Sequence, residues 1–269
     1  MEPGRLAVST ISTQNWTAWE DLIRYRALGI HGIGLWRDKL REVDLREYRK
    51  ALDEHGMVVT NLCFAGQFTH GVEQAIQDGR HALEEATKLG ASTVLVISGA
   101  LGDTNLARAH SMVVEGLGRL AELADHYGIH LALEALHPMD MTAWTIIPTV
   151  DMALDIIDEV SHPSVGLMLD LYNSWWDPRL EGAIQRAGER ILAVQMADWR
   201  NPTRSFTDRA VPGTGVADLS RLIRAVEATG YRGFYDLEIF SDEIWENRDG
   251  YSSVLSEVMQ WWQGVPLNG

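Results

Sequence analysis

A repeated junction governs what this chain can fold into: a stretch of helical period closes on a glycine, and an apolar strand begins at once. Gly29, Gly56, Gly90, Gly128 and Gly230 all stand at such junctions. Glycine enters the left-handed conformation that ends a helix without steric penalty. The strand candidates are 6–11, 32–36, 57–63, 93–97, 130–134, 165–170, 191–196 and 234–239. The helical candidates are 16–28, 45–54, 72–89, 106–127, 149–159, 178–188, 219–229 and 250–262. Helix, glycine, strand is the pattern of a parallel sheet with helices packed on it. The runs Thr-Val-Leu-Val-Ile and His-Leu-Ala-Leu-Glu are almost continuously apolar, as strands covered on both faces must be.

Eight such units fill 269 residues, the length of one α/β barrel. No Pro- or Ser-rich linker divides them, so the expectation is a (β/α)8 TIM barrel forming a single domain over residues 1–269. The rival architecture is an open, doubly wound sheet, which usually carries a glycine-rich phosphate loop after its first strand. Here that turn reads Ser-Thr-Ile-Ser-Thr-Gln-Asn, without glycine.

Charge and cysteine content narrow the chemistry. Lys and Arg number 23 against 38 Asp and Glu, a formal charge of −15. That field repels a phosphate backbone and disfavours nucleic acid as a partner, but it attracts cations and tolerates a neutral polyol. Cys63 is the only cysteine, which excludes an internal disulfide or a thiolate zinc cluster. A reducing, cytoplasmic location is the expectation, since the Met-Glu-Pro-Gly-Arg start has no leader pattern. No apolar run reaches membrane-spanning length. The three lysines, Lys39, Lys50 and Lys88, all fall outside the strand candidates, which disfavours Schiff-base chemistry.

In a barrel the functional side chains sit where strands end. The fifth strand ends at Glu134 and the sixth at Asp170; the seventh carries Gln195 and the eighth Glu238. Each stands in an otherwise apolar segment. Buried carboxylates that converge repel one another unless a cation lies between them. A lone strand-end acid commonly bonds a nearby backbone N–H instead; the recurrence at successive strands is what argues for a metal.

The segments Leu-Glu-Ala-Leu-His-Pro-Met (133–139), Asp-Leu-Tyr-Asn-Ser-Trp-Trp-Asp-Pro (170–178) and Asp-Trp-Arg-Asn-Pro-Thr (198–203) occur in that order. They are followed by Asp-Arg-Ala-Val-Pro-Gly-Thr-Gly-Val-Ala-Asp-Leu (208–219) and Gly-Tyr-Arg-Gly-Phe-Tyr-Asp-Leu-Glu-Ile-Phe-Ser (230–241). Together they resemble the sugar phosphate isomerase/epimerase family of the xylose-isomerase-like barrel superfamily over nearly the whole chain. The resemblance implies a Mn- or Mg-type ion on Glu134, Asp170, Gln195 and Glu238. It also implies an acid/base pair, Glu134 and Glu238, facing each other across a bound sugar. A carboxylate removes the proton beside a carbonyl while the metal stabilises the enediolate. The family commonly has His where Gln195 and Asn173 stand. With Gln195 the ligand set becomes all oxygen, which favours Mg or Mn over Zn.

Five further residues are candidates for the substrate site. His137 faces the substrate or fixes the turn before Pro138. Arg209 clamps an oxygen of the substrate or pairs with Asp208 or Asp198. Asp198 touches the substrate, orients a ligand or pairs at the surface. Asn173 hydrogen-bonds a hydroxyl. Trp36, and less directly Trp175 and Trp176, stack on a sugar face or an aromatic aglycone, or serve as core. Gly213 and Gly215 form a phosphate nest or a tight turn into a helix capped by Asp218.

Four functions are compatible with this set. The first is a metal-dependent isomerase or epimerase on a small carbohydrate or polyol. The second is a lyase on the same site, either a keto-polyol dehydratase or a C-glycoside-cleaving enzyme. The third is a phosphodiester endonuclease, which the charge and the missing histidines disfavour. The fourth is a sugar-binding partner subunit without chemistry. A homo-oligomer is possible, with Trp261 and Trp262 at a contact or against the barrel.

Overall fold

Gly90 and Gly128 end the two longest helices, Val72–Leu89 and Leu106–Tyr127, in the computed structural model, which describes residues 1–266. Both glycines are left-handed, at φ 72° and 64°, and their N–H groups return to Ala86 and Ala124. The Leu106–Tyr127 helix begins where the Asn105 side chain accepts from the Arg108 N–H. It buries Ala109, Val113, Leu117 and Leu120, spaced three or four apart on one face.

The strands are β1 (Leu6–Ser9), β2 (Gly32–Trp36), β3 (Val58–Gly66), β4 (Thr93–Ile97) and β5 (His130–Glu134). They continue with β6 (Val165–Asp170), β7 (Ile191–Met196), β8 (Asp198–Trp199), β9 (Arg209–Ala210) and β10 (Tyr235–Leu237). Eight of them, all parallel, close into a barrel in the order β1-β10-β7-β6-β5-β4-β3-β2. The chain folds as a (β/α)8 barrel. Strands β8 and β9 form a separate antiparallel ladder.

Strand periodicity decides which side chains enter the barrel. Cys63, Leu95, Ile97, Ala132, Met168 and Ala193 form an apolar cluster separate from the larger core between barrel and helices. Side chains two residues apart share a face. Glu134 lies two beyond Ala132, Asp170 two beyond Met168 and Gln195 two beyond Ala193. The register carries this across strands, with Met168 beside Ala193 and Asp170 beside Gln195. The polar groups are therefore the top layer of the barrel's own interior. Trp262 is buried and packs against Tyr235 with ring centroids 5.1 Å apart, so this tryptophan packs within the chain. Among the described residues no helix is long and apolar enough to cross a membrane.

Candidate active site

The carboxyl end of the barrel gathers Glu134, Asp170, Gln195 and Glu238, all buried. N–H donors link them. The Asn173 amide donates to Glu134 Oε1 at 2.9 Å and to Asp170 Oδ2 at 2.7 Å. Arg209 Nη1 donates to Glu238 Oε2 at 3.0 Å and lies 3.4 Å from Asp170 Oδ2. Gln195 Nε2 donates to Glu238 Oε1 at 2.8 Å. Asn173 reaches this position because the helical turn Leu171–Ser174 begins directly at the end of β6, where Asp170 caps it by accepting from the Tyr172 N–H. Arg209 arrives on β9, with its guanidinium between the rings of Tyr172 (4.2 Å) and Phe240 (4.6 Å).

Three carboxylates face one guanidinium, so the cluster carries excess negative charge when ionised. Burial first, then Asp170 and Glu238, hold the Glu134 carboxyl well above its usual range. Burial also raises Asp170, against the pull of Arg209. Glu238 is pushed up to about 7 by burial, with Arg209 opposing. Burial works against the Arg209 charge, but Asp170 and Glu238 more than offset it.

Whether these residues suit a cation turns on one atom. Gln195 Oε1 is buried without a hydrogen-bond partner, an arrangement that is costly unless something binds there. Three carboxylates and that carbonyl oxygen make an all-oxygen donor set of the kind Mg and Mn prefer. As the side chains stand, N–H groups lie between the carboxylates. Among the described residues, no three Asp, Glu, His or Cys side chains converge at metal-holding spacing. The residues fit a hard divalent cation in kind and charge.

Above the cluster opens a cavity of about 250 Å³. Glu134, Glu238 and Arg209 reach it, together with Asp140. Asp170, Gln195 and Asn173 lie behind them. Five aromatic side chains wall it: Trp36, Phe64, Trp144, Phe206 and Phe240. Two donors are buried without partners, Arg209 Nε and the Trp36 indole N–H, which is turned toward Glu238 without reaching a hydrogen bond.

The profile of the family described as xylose isomerase-like TIM barrel matches residues 22–263. The chain belongs to that family. Its relatives include enzymes of more than one kind. A 3-dehydroshikimate dehydratase of Pseudomonas aeruginosa is 27% identical over 256 residues, covering 88% of this chain and 38% of that protein. This chain thus spans well under half the length of that relative. An inosose isomerase of Bacillus velezensis is 24% identical over 76% of this chain and 73% of the relative. Among solved structures, a protein of Sinorhizobium meliloti superposes with a TM-score of 0.93 at 33% identity, covering 99% of this chain and 100% of its own. The IolI protein with a bound zinc atom superposes at 0.81 and 20% identity, covering 94% and 96%, a likeness of fold.

Several expectations for this family member need correction. The structure places Asp198 off the cavity wall and gives it no hydrogen bond to Gln195. It is buried, and its carboxylate accepts the backbone N–H groups of Trp199, Gly213, Gly215 and Ala217. The Gly213–Gly215 loop is therefore no free phosphate nest, since the chain's own carboxylate fills it. A side chain at Gly215 would meet Asp198 Oδ1 and the Trp199 carbonyl, both at 2.4 Å. Asp198→Ala is expected to destabilise the protein by about 3 kcal/mol, because several N–H groups lose a charged acceptor. Urea denaturation measures this.

His137 is not on the cavity wall. Its ring packs against Trp199 at 4.6 Å and Trp176 at 5.7 Å, and Nδ1 accepts from the Met139 N–H, fixing the turn at Pro138. Burial, then Arg209, lowers its pKa to about 4, so it is neutral at pH 7. Asn173 spends its amide on two carboxylates rather than facing the cavity. Arg209 pairs with Asp170 and Glu238, while Asp208 is taken by Arg204 and Arg200. Trp36 does line the cavity. The sequence reasoning missed Phe64, Asp140, Trp144, Phe206 and Phe240. Phe64 and Phe240 sit one or two residues past Cys63 and Glu238, a signal that was present. Trp144 and Phe206 lie in loops and gave none.

Proposed function

We propose that this chain is a divalent-metal-dependent enzyme that removes a proton beside the carbonyl of a small, unphosphorylated sugar or keto-polyol, and returns a proton to the skeleton as an isomerase or epimerase. The observation that carries this is the division of the cluster: Glu134 and Glu238 reach the cavity, while Asp170, Gln195 and Asn173 lie behind them. Two carboxylates at the ends of different strands can serve two faces of one substrate. Glu134, Asp170, Gln195 and Glu238 would hold the cation, Mn or Mg by their oxygen donors. When bound, it supplies positive charge against the negative charge developing on the carbonyl oxygen.

The chain's own residues do the rest. One glutamate takes the proton from carbon, and the other gives one back. Arg209, its guanidinium 4.2 Å from the Tyr172 ring and 4.6 Å from the Phe240 ring, brings positive charge to the cavity wall beside the two glutamates. The aromatic wall keeps water from the reacting carbon. Arg209 is the one cationic side chain lining the cavity among the described residues, and its Nη1 is already shared by two carboxylates, so no phosphate subsite is offered there.

A second function, elimination of water from a keto-polyol, is favoured by the match to 3-dehydroshikimate dehydratase over 88% of the chain. The same first proton removal serves both. The test is a panel of keto-sugars and cyclic keto-polyols, each with and without an aryl substituent, incubated with the Mn-loaded protein in deuterated water and read by mass spectrometry. Deuterium entering substrate or isomer without loss of water supports isomerisation. A product lighter by one water establishes the lyase. No exchange and no product across the panel removes both.

A further inference from the structure

We propose that the substrate has two unlike ends: a hydroxy-keto or sugar end that meets Glu134 and Glu238, and an aromatic ring seated among Trp36, Phe64, Trp144, Phe206 and Phe240. The reactive end rests on the proton-transfer function proposed above. The ring end rests on the cavity wall alone.

The five rings form a continuous arc. Trp144 meets Phe64 at 6.3 Å, Phe64 meets Trp36 at 5.9 Å, Trp36 meets Phe240 at 5.4 Å and Phe240 meets Phe206 at 5.5 Å. The first three contacts are edge-on, with interplanar angles of 85°, 79° and 70°. Aromatic side chains favour such edge-to-face contacts with one another, and the same geometry extends to a guest ring. Cys63, Leu95, Ile97 and Leu136 complete the wall.

The wall lacks what a free sugar needs. A pentose or hexose carries oxygen on every carbon, and each hydroxyl buried without a partner is costly. Among the described residues, no Ser, Thr, Tyr, Asn, Gln, His or Lys side chain lines this cavity. Its charged groups are Glu134, Asp140, Arg209 and Glu238. One end therefore suits oxygens. The other end suits none.

Size and exposure agree. A cavity of about 250 Å³ holds a ring joined to a short polyol or one pyranose, but not two sugars and a ring. Trp144 and Phe206 keep 36% and 37% of their surface exposed at its mouth. A guest ring would cover that apolar surface, which water otherwise contacts.

The test compares phenyl with methyl β-D-glycosides of glucose, galactose and xylose, titrated calorimetrically into the Mn-loaded protein. Binding is read without turnover, so the result stands apart from the proton-exchange experiment. For at least one sugar the phenyl glycoside is expected to bind ten-fold or more tighter than its methyl partner. Trp144→Ala and Phe206→Ala are each expected to erase most of that preference; both residues are partly exposed, and a matched thermal melt checks that each variant is folded. Equal affinity within every pair, no binding by any member, or a preference that survives both substitutions would overturn the proposal. Failure of deuterium exchange with the ring preference intact would overturn the function of the carboxylates and leave the ring site standing.

Discussion

Glu238→Gln and Glu134→Gln are each expected to slow proton exchange between substrate and solvent by about 10²–10⁴-fold, the usual contribution of a positioned acid or base. Gln keeps the shape of Glu and an acceptor oxygen. Gln195 can still donate at position 238, and Asn173 can still donate at position 134. The fold should therefore survive, and with Mn held saturating, since both residues also belong to the proposed ligand set, substrate affinity should change much less than turnover. If both are needed on opposite faces, either variant alone stops a full isomerisation. If the reaction is an elimination, the two variants should differ, because one glutamate removes the proton from carbon and the other assists the leaving group. Rapid-quench mass measurement of deuterium in substrate and product reads both effects.

The second large effect concerns pH and metal together. In the chelated protein Glu134, Asp170 and Glu238 all bind protons more tightly than ordinary carboxyls, because burial disfavours their charged forms. The folded state then holds more protons than the unfolded chain. Stability from these groups is fully present below the ordinary carboxyl range, and it is lost as pH rises through about 7, the value of Glu238. A cation held by the ionised carboxylates would stabilise the fold increasingly over the same interval. Chelated protein should therefore lose about 5 °C or more of melting temperature between pH 5 and pH 8, on the scale of roughly 2–4 °C per kcal/mol for a chain of this size. Saturating Mn should remove or reverse that loss. A melting temperature that falls equally with and without Mn would contradict the assignment.

Much of the barrel is legible in the chain, for a physical reason. Strands 93–97, 130–134, 165–170 and 191–196 are β-rich runs, three of them opening directly after a turn or a left-handed glycine loop, and they end where expected. The third strand runs on to Gly66 because Ala65 and Gly66 pair with Val96 and Ile97. The first stops at Ser9, and Thr10–Thr13 turns, with the Thr10 hydroxyl accepting the Trp36 N–H. The ladder of β8 and β9 joins residues far apart in sequence through two pairs, and so short a pairing has no periodicity to betray it.

The cluster was legible for the same reason as the strands, since period two fixes which side chains enter the barrel. Its wiring was not. Nothing in the order of residues says that Asp198 would be drawn to the Gly213–Ala217 loop or that Arg209 would lie among the carboxylates. Those contacts depend on where the 198–210 excursion returns, a property of the folded barrel end. The aromatic wall likewise assembles from three strands or their ends, Trp36 on β2, Phe64 on β3 and Phe240 just past β10, and two loops.

On the proposed function, Glu134, Asp170, Gln195 and Glu238 jointly hold one divalent cation. The most direct measurement is an electron paramagnetic resonance titration of metal-free protein with Mn at pH 7.5, run beside Asp170→Asn. Asp170 lies behind the cavity, so its loss should act on the cation first. One bound Mn per chain in the wild type, with affinity at least ten-fold weaker in the variant, is the predicted result. Free-ion signal from the first addition in the wild type, or equal binding in the two proteins, would contradict it.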